Sequence, residues 1–179
     1  MPLPFDIGGF HWGDDLVFDQ STGEMDVDTG FKGALRMVLN QVIQEGLVQR
    51  CGYRARDIMI FGYAQGGMVA LQAAAEHGGD EFGGVISIGG TLSLSLSLKA
   101  LDEKSKTPVL VCKGSRSSAV TENAIRRIKD VFEFVEVKEW KKTGDLMPNT
   151  REEMYPIMQF FARRLRSTQG VPGGSVELT

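Results

Sequence analysis

Histidine and cysteine are both scarce in this chain, with two of each in 179 residues. Cys51 and Cys112 lack a C-x-x-C spacing, and Cys112 falls inside the apolar run Val109-Leu110-Val111-Cys112. A thiol in such a run behaves as a small hydrophobe, so both cysteines are expected as free thiols of a reducing compartment. No apolar stretch reaches the ~20 residues that a bilayer span needs, and the first residues lack the charged-then-apolar order of a secretory signal. The expected location is cytoplasmic. A formal charge of −3, spread over mixed acids and bases without a long basic block, argues against nucleic acid as a partner. Internal repeats are absent, and nothing in the composition calls for a cofactor. With 42% hydrophobic residues, a chain of this length can bury the core of one domain.

The apolar pattern that is present alternates between two periods. Phe31, Leu35, Val38, Leu39, Val42 and Ile43 share one face of a helix expected to end near Gly46. Thr150 and Glu153 have capping-box spacing, and Met154, Ile157, Met158, Phe161 and Leu165 follow as a helical stripe. Pro156 lies close enough to that start to distort the first turns without ending the helix. Between them come the short runs Ile58–Phe61, Val85–Ile88, Pro108–Cys112 and Phe132–Val137, alternating with helical segments Gln65–His77 and Ala119–Val131. Nearly continuous apolar runs suit strands covered on both faces. The order predicts an α/β fold with a partial doubly wound parallel sheet of about four strands. The domain is expected over 1–167, with 168–179, polar and glycine-rich, as a disordered tail.

One strand runs straight into Gly62-Tyr63-Ala64-Gln65-Gly66-Gly67 and a helix of small residues. This has the layout of a nucleophile elbow, G-x-S-x-G, whose flanking glycines avoid collisions in a sharp turn that thrusts the central residue outward. Gly62 and Gly66 keep that pattern, whereas Ala64 stands in the place of the serine. A methyl group has neither a lone pair nor an acidic proton, so no neighbouring base can activate it. A phosphate-cradling turn is the alternative, but the Lys-Ser/Thr of such loops is missing.

The string GYAQGGMVALQAA resembles the elbow of the phospholipase/carboxylesterase family of α/β-hydrolases, which includes acyl-protein thioesterases and typically has G-F-S-Q-G-G there. Leu3-Pro4-Phe5-Asp6-Ile7 is similar to the family's P-x-W-F-D-I segment, and Gly84–Gly90 to its next strand and the start of its flap. The overall impression is of a filamentous-fungal branch. The resemblance implies an α/β-hydrolase-like three-layer sandwich. It places the family's catalytic aspartate at Ser117 and its histidine at Asp145, while His11 and His77 fall elsewhere. It also places one oxyanion N–H on Gln65 and implies a second donor from an earlier strand. No such strand precedes Ala64 here, so the family's first strands are expected to be missing, and one lost oxyanion donor alone costs about 10²–10³ in rate. Natural loss of all three triad groups is therefore favoured over a single laboratory change.

Other residues admit two readings each. Asp145 could be a new acid or a turn residue. Asp14, Asp15, Glu24, Asp26 and Asp28 could hold a metal, but suit a solvated face better, with Asp28 or Thr29 capping the first helix. Leu92, Leu94, Leu96 and Leu98 alternate with serines and, on one strand face, could form an acyl-groove flap or simply pack on the core. Strand Ile58–Phe61 is expected to be an apolar edge that pairs with another chain, or with strands of a longer parent. The leading expectation is a catalytically inactive homologue that binds a lipid, an acylated peptide or a protein partner. The alternatives are an active ester or thioester hydrolase with a non-standard nucleophile, or an incomplete chain without independent function.

Overall fold

The computed structural model describes residues 11–14, 17–18, 25–26, 30–94, 96 and 103–165. The expected tail 168–179, the segment 3–7, Asp28, Thr29 and Leu98 lie outside the described residues. Two short strands, β1 (Val17–Phe18) and β2 (Met25–Asp26), pair antiparallel ahead of the main sheet. The main sheet holds β3 (Met59–Tyr63), β4 (Gly84–Ile88), β5 (Val109–Arg116) and β6 (Val135–Thr143), all parallel and adjacent in chain order.

Burial sets which strands lie inside. Every residue of β4 is buried, as is most of β5, which agrees with their unbroken apolar runs. The fourth strand departs from its expected position. Register pairs Val109 with Val135 and carries β6 on to Thr143, through Glu136, Lys138, Glu139 and Lys141. Phe132 forms only an isolated bridge to Ser105. A strand this charged is tolerated because it lies on an edge, where Lys and Glu also discourage further pairing. The opposite edge, β3, carries no charge, and its Phe61 and Tyr63 are 42% and 43% exposed.

Helices cover both faces. On one face α1 (Lys32–Arg36) continues without a break into a wider π-helical stretch, Met37–Arg50, past the end expected near Gly46. Its i→i+5 winding turns less per residue than an α-helix. Ile43 therefore stays buried, while Val42, central on a 3.6-residue face, is rotated out to 50% exposure. The cap of α1 comes from a distant acid: Asp14 accepts from the N–H groups of Lys32 (2.6 Å) and Gly33 (2.5 Å). Its carboxylate satisfies amides that Phe31, the residue at the cap position, cannot.

Beside it lies α2 (Gln65–Glu76), whose small residues are buried almost all round, as in a helix enclosed on several sides. α3 (Glu122–Val131) begins at Thr121, which accepts from Ala124 N–H at 3.2 Å, and turns Ile125, Ile128 and Val131 inward. These residues join Val85, Val109 and Val111 in one core cluster. Among the described residues α4 (Arg151–Arg164) is the helix that covers the other face, with Ile157 and Phe160 against Ile86, Ile88, Leu110, Cys112 and Trp140. The three layers match the expected sandwich, and α4 runs through Pro156 unbroken.

The start of α4 is tied to β6. Thr150 accepts from Glu153 N–H at 3.2 Å, while Glu153 accepts from Asn149 N–H (3.0 Å) and from Lys142 Nζ (2.8 Å). Lys142 also donates to the Met147 carbonyl and lies over the Trp140 ring, 4.5 Å from its centre. The Lys142 hydrogen bond is the main cause that holds the Glu153 carboxyl below its usual range. A carboxylate with a depressed folded-state pKa stabilises the fold above its unfolded value, and that contribution is lost as pH falls through the folded value. Glu153→Gln should therefore lower the urea midpoint at neutral pH, and its difference from the native chain should close on acidification. A constant difference across the carboxylate range would show that the ion pair contributes nothing.

Candidate functional site

The C-terminal ends of the four parallel strands meet along one rim, the place where open α/β sheets bind ligands. Hydrogen bonds lace this rim together. Ala64 N–H donates to the Ile88 carbonyl (2.8 Å), Gly89 N–H to the Cys112 carbonyl (2.9 Å) and Gly144 N–H to the Arg116 carbonyl (2.7 Å). Ala64, Ser117 and Asp145 each follow a different strand and are brought to this common rim.

Ala64 is exposed and sits between strand and helix at φ 49, ψ −120. For a residue with a Cβ this backbone costs on the order of 1–3 kcal/mol. It persists because both sides are pinned: the N–H bonds to β4 and the carbonyl accepts from Met68 N–H at 3.1 Å. The elbow glycines divide unequally. A Cβ on Gly62 would fall on the Gly66 carbonyl, so that position must stay bare. A Cβ on Gly66 would meet only Trp12 Nε1, at 3.6 Å, which is ordinary contact. The expected steric need at Gly66 is thus corrected, and the constraint moves to Gly67. A Cβ there would lie 2.5 Å from Ser87 Oγ and 3.2 Å from Gly90 Cα, while one on Gly90 would lie 2.6 Å from the Gly67 carbonyl carbon. Sequence reasoning passed over this pair; the doubled glycines after β3 and after β4 were its only trace.

Ser117 is exposed, with φ 52, in the loop after β5. Asp145 holds that loop in place. Its Oδ1 accepts from Gly114 N–H (2.9 Å) and its Oδ2 from Ala119 N–H (2.8 Å). Both oxygens are occupied by backbone donors, which supports the turn reading over that of a free acid. Gly89, at φ 68, leaves room for it, since a Cβ there would land on the Asp145 side chain.

Gln65 accepts from Trp12 N–H at 3.3 Å, bringing residues 11–14 over the elbow. His77 stands at the far end of α2, stacked on Phe82 with ring centres 4.4 Å apart. Burial there pushes its imidazole below the ordinary value. Burial likewise raises the Cys112 thiol to about 12, which excludes an activated thiolate near neutral pH.

The leucine run is not a single face. Leu92 and Leu96 are buried in the core cluster and Leu94, at a turn, is 73% exposed. Arg127 donates to the Ser93 carbonyl at 3.0 Å and fastens this turn to α3. Exposed apolar side chains instead come from the segments at the strand ends: Tyr63 closes β3, Leu94 follows β4, and Leu146 and Met147 follow β6, while Trp12 lies at the elbow. Among the described residues no group of three or more acidic, histidine or cysteine side chains is placed to hold a metal, and no helix is long and apolar enough to cross a membrane.

Comparison with known proteins agrees with this geometry. The family model for Phospholipase/Carboxylesterase matches residues 1–165. An uncharacterized hydrolase of Schizosaccharomyces pombe is 28% identical over 169 residues, covering 92% of this chain and 68% of its own. Among solved structures, Arabidopsis thaliana SOBER1 matches with a TM-score of 0.65 at 21% identity, over 87% of this chain and 74% of that one. Zea mays acyl-protein thioesterase 2 matches with a TM-score of 0.58 at 18% identity, over 86% and 72%. At such identities the structures establish the α/β-hydrolase-like fold.

Two measurements test the rim. Gly67→Ala and Gly90→Ala should each destabilise the fold by about 1–3 kcal/mol through overpacking, whereas Gly66→Ala should be neutral or stabilise by up to ~1 kcal/mol, as in a helix. Equal losses in urea unfolding at all three would dismiss the close approach. Asp145→Ala, which leaves two backbone donors without their acceptor, should cost about 1–3 kcal/mol and speed amide exchange at Gly114 and Ala119. Unchanged exchange there would mean that the loop holds itself.

Proposed function

Because the chain belongs to the phospholipase/carboxylesterase family yet carries a methyl group at the apex of its elbow, we propose that it is a non-hydrolytic member that binds an acyl group, as a free lipid or on an acylated peptide or protein. In this reading Ala64, Ser117 and Asp145 occupy the family's serine, aspartate and histidine positions. The observation that carries it is that the segments at the C-terminal ends of β3, β4 and β6 each present exposed apolar side chains, Tyr63, Leu94, and Leu146 with Met147. Contiguous exposed apolar groups on a soluble domain mark a binding surface. The methyl of Ala64 adds to that surface where a hydroxyl would have reacted. The uncharged outer edge of β3, with its exposed Phe61, offers a protein partner a second contact.

Chemistry supports the absence of turnover. Acyl transfer needs a nucleophile, a base within hydrogen-bond reach and a group that orients the base. Both Asp145 oxygens are taken by amides, and His77 is stacked at the opposite end of α2. The rival reading, hydrolysis by a non-standard nucleophile, has one observation in its favour: the exposed hydroxyl of Ser117, held in left-handed backbone at the same rim.

A fluorophosphonate probe with a panel of short- and long-chain esters separates the two. The expected result is no covalent labelling and no turnover above an unfolded control, in the native chain and in Ala64→Ser alike. A palmitoylated peptide should be retained over its unacylated counterpart, and Leu94→Ser should weaken that retention. Labelling that maps to Ser117, or ester turnover by the native chain, would overturn the proposal.

A further inference from the structure

At the opposite end of the sheet, where the strands begin, lies a groove of about 640 Å³. It is independent of the elbow. Arg56 comes from the turn before β3, Lys106 and Pro108 from the approach to β5, Phe134 from the residue before β6, and Arg163 and Arg164 from the last turn of α4. Four cations thus converge from three separate parts of a chain whose net charge is −3. Glu81 is the one carboxylate among the described residues of the lining.

The state of these cations points to a ligand. Arg163 is already paired, donating from Nη2 to both Glu136 oxygens at 2.8 Å. Arg164 lies over the Phe160 ring, 5.5 Å from its centre, and its buried Nε has no acceptor among the described residues. A buried donor without a partner costs free energy and calls for an acceptor. Arg163 and Arg164 also complement the negative end of α4, but that role explains neither Arg56 nor Lys106. Phe134 presents an exposed ring, 51% accessible, within the same groove.

We propose that this groove binds a small phosphate monoester whose organic part carries an aromatic ring. Guanidinium forks match phosphate oxygens in a way that a lone ammonium cannot, and the exposed Phe134 face suits ring stacking. The volume lies within the ~300–1,000 Å³ of small-molecule sites and exceeds what inorganic phosphate alone would fill. The absence of basic blocks beyond the groove argues against an extended polyanion.

Phenyl phosphate is the probe, titrated into the native chain beside inorganic phosphate and phenol, with amide shifts and heat of binding as readouts. Saturable binding of phenyl phosphate, with shifts at Gly83 and Phe134 and weaker binding of both fragments, is expected. The double variant Arg56→Gln/Arg164→Gln should weaken it by about tenfold or more, at ~1.4 kcal/mol per tenfold, whereas Arg126→Gln on the exposed side of α3 should not. Phe134→Ala should reduce affinity for phenyl phosphate but not for inorganic phosphate. Lys106→Gln, a change at an exposed side chain, gives the same test should the double variant unfold. No saturable binding at millimolar probe, shifts confined to the elbow rim, or equal weakening by Arg126→Gln would overturn the proposal. Because the groove shares no residue with the rim, failure here leaves the acyl-binding reading untouched, and the converse holds as well.

Discussion

The approach of bare backbone at Gly62, Gly67 and Gly90 is the constraint on which the rest of the rim depends. These positions let α2 start directly above the ends of β3 and β4, with the chain reversing within one residue. Any Cβ at them would push the helix off the sheet. Tight packing transmits such a displacement to its neighbours, and here the neighbours are the loops after β4, β5 and β6. The Ala64–Ile88 hydrogen bond, the Gly89–Cys112 hydrogen bond and the Asp145 contacts all require the strand ends to stay level.

Asp145 shows how one position can serve architecture. A carboxylate offers up to four acceptor sites and no donor, and in this fold it is satisfied by two amides, that of Gly114 near the end of β5 and that of Ala119 in the loop before α3. An imidazole there could not accept two such bonds at once. The charge also faces no positive side chain at hydrogen-bond distance among the described residues, so the amides are its compensation. The residue that the family resemblance places at the histidine position therefore contributes rigidity to the loop that carries Ser117.

Much of this was readable from residue order. The continuous apolar runs of β4 and β5 predicted strands buried on both faces, and Gly62-Tyr63-Ala64-Gln65-Gly66 directly after a strand predicted an elbow leading into a helix. What escaped depended on long-range partners. The cap of α1 comes from Asp14, 18 residues upstream, a distance no local capping rule covers. The start of β6 moved because register with β5 outweighed the apolar run Phe132–Val137, and the charged stretch up to Thr143 then became an edge strand. The Ser-Leu alternation imitated a strand, but a turn at Leu94, with Arg127 fixing the Ser93 carbonyl, sent Leu92 and Leu96 into the core instead. Similarly, Val42 left its helical face because the winding there is wider than 3.6 residues per turn.

The strained backbone of Ala64 is easily mistaken for a relic of catalysis, yet the hydrogen bonds assign it to the turn. Its N–H belongs to the sheet and its carbonyl to the first turn of α2, so its positive φ follows from joining a strand to a helix within one residue. A hydroxyl placed on that Cβ would leave these hydrogen bonds as they are, and the methyl that stands there leaves the backbone equally strained. Fold and nucleophile are therefore separable at this position. An elbow can persist through a change of side chain for as long as Gly62, Gly67 and Gly90 stay bare, because the strain is balanced by the packing of α2.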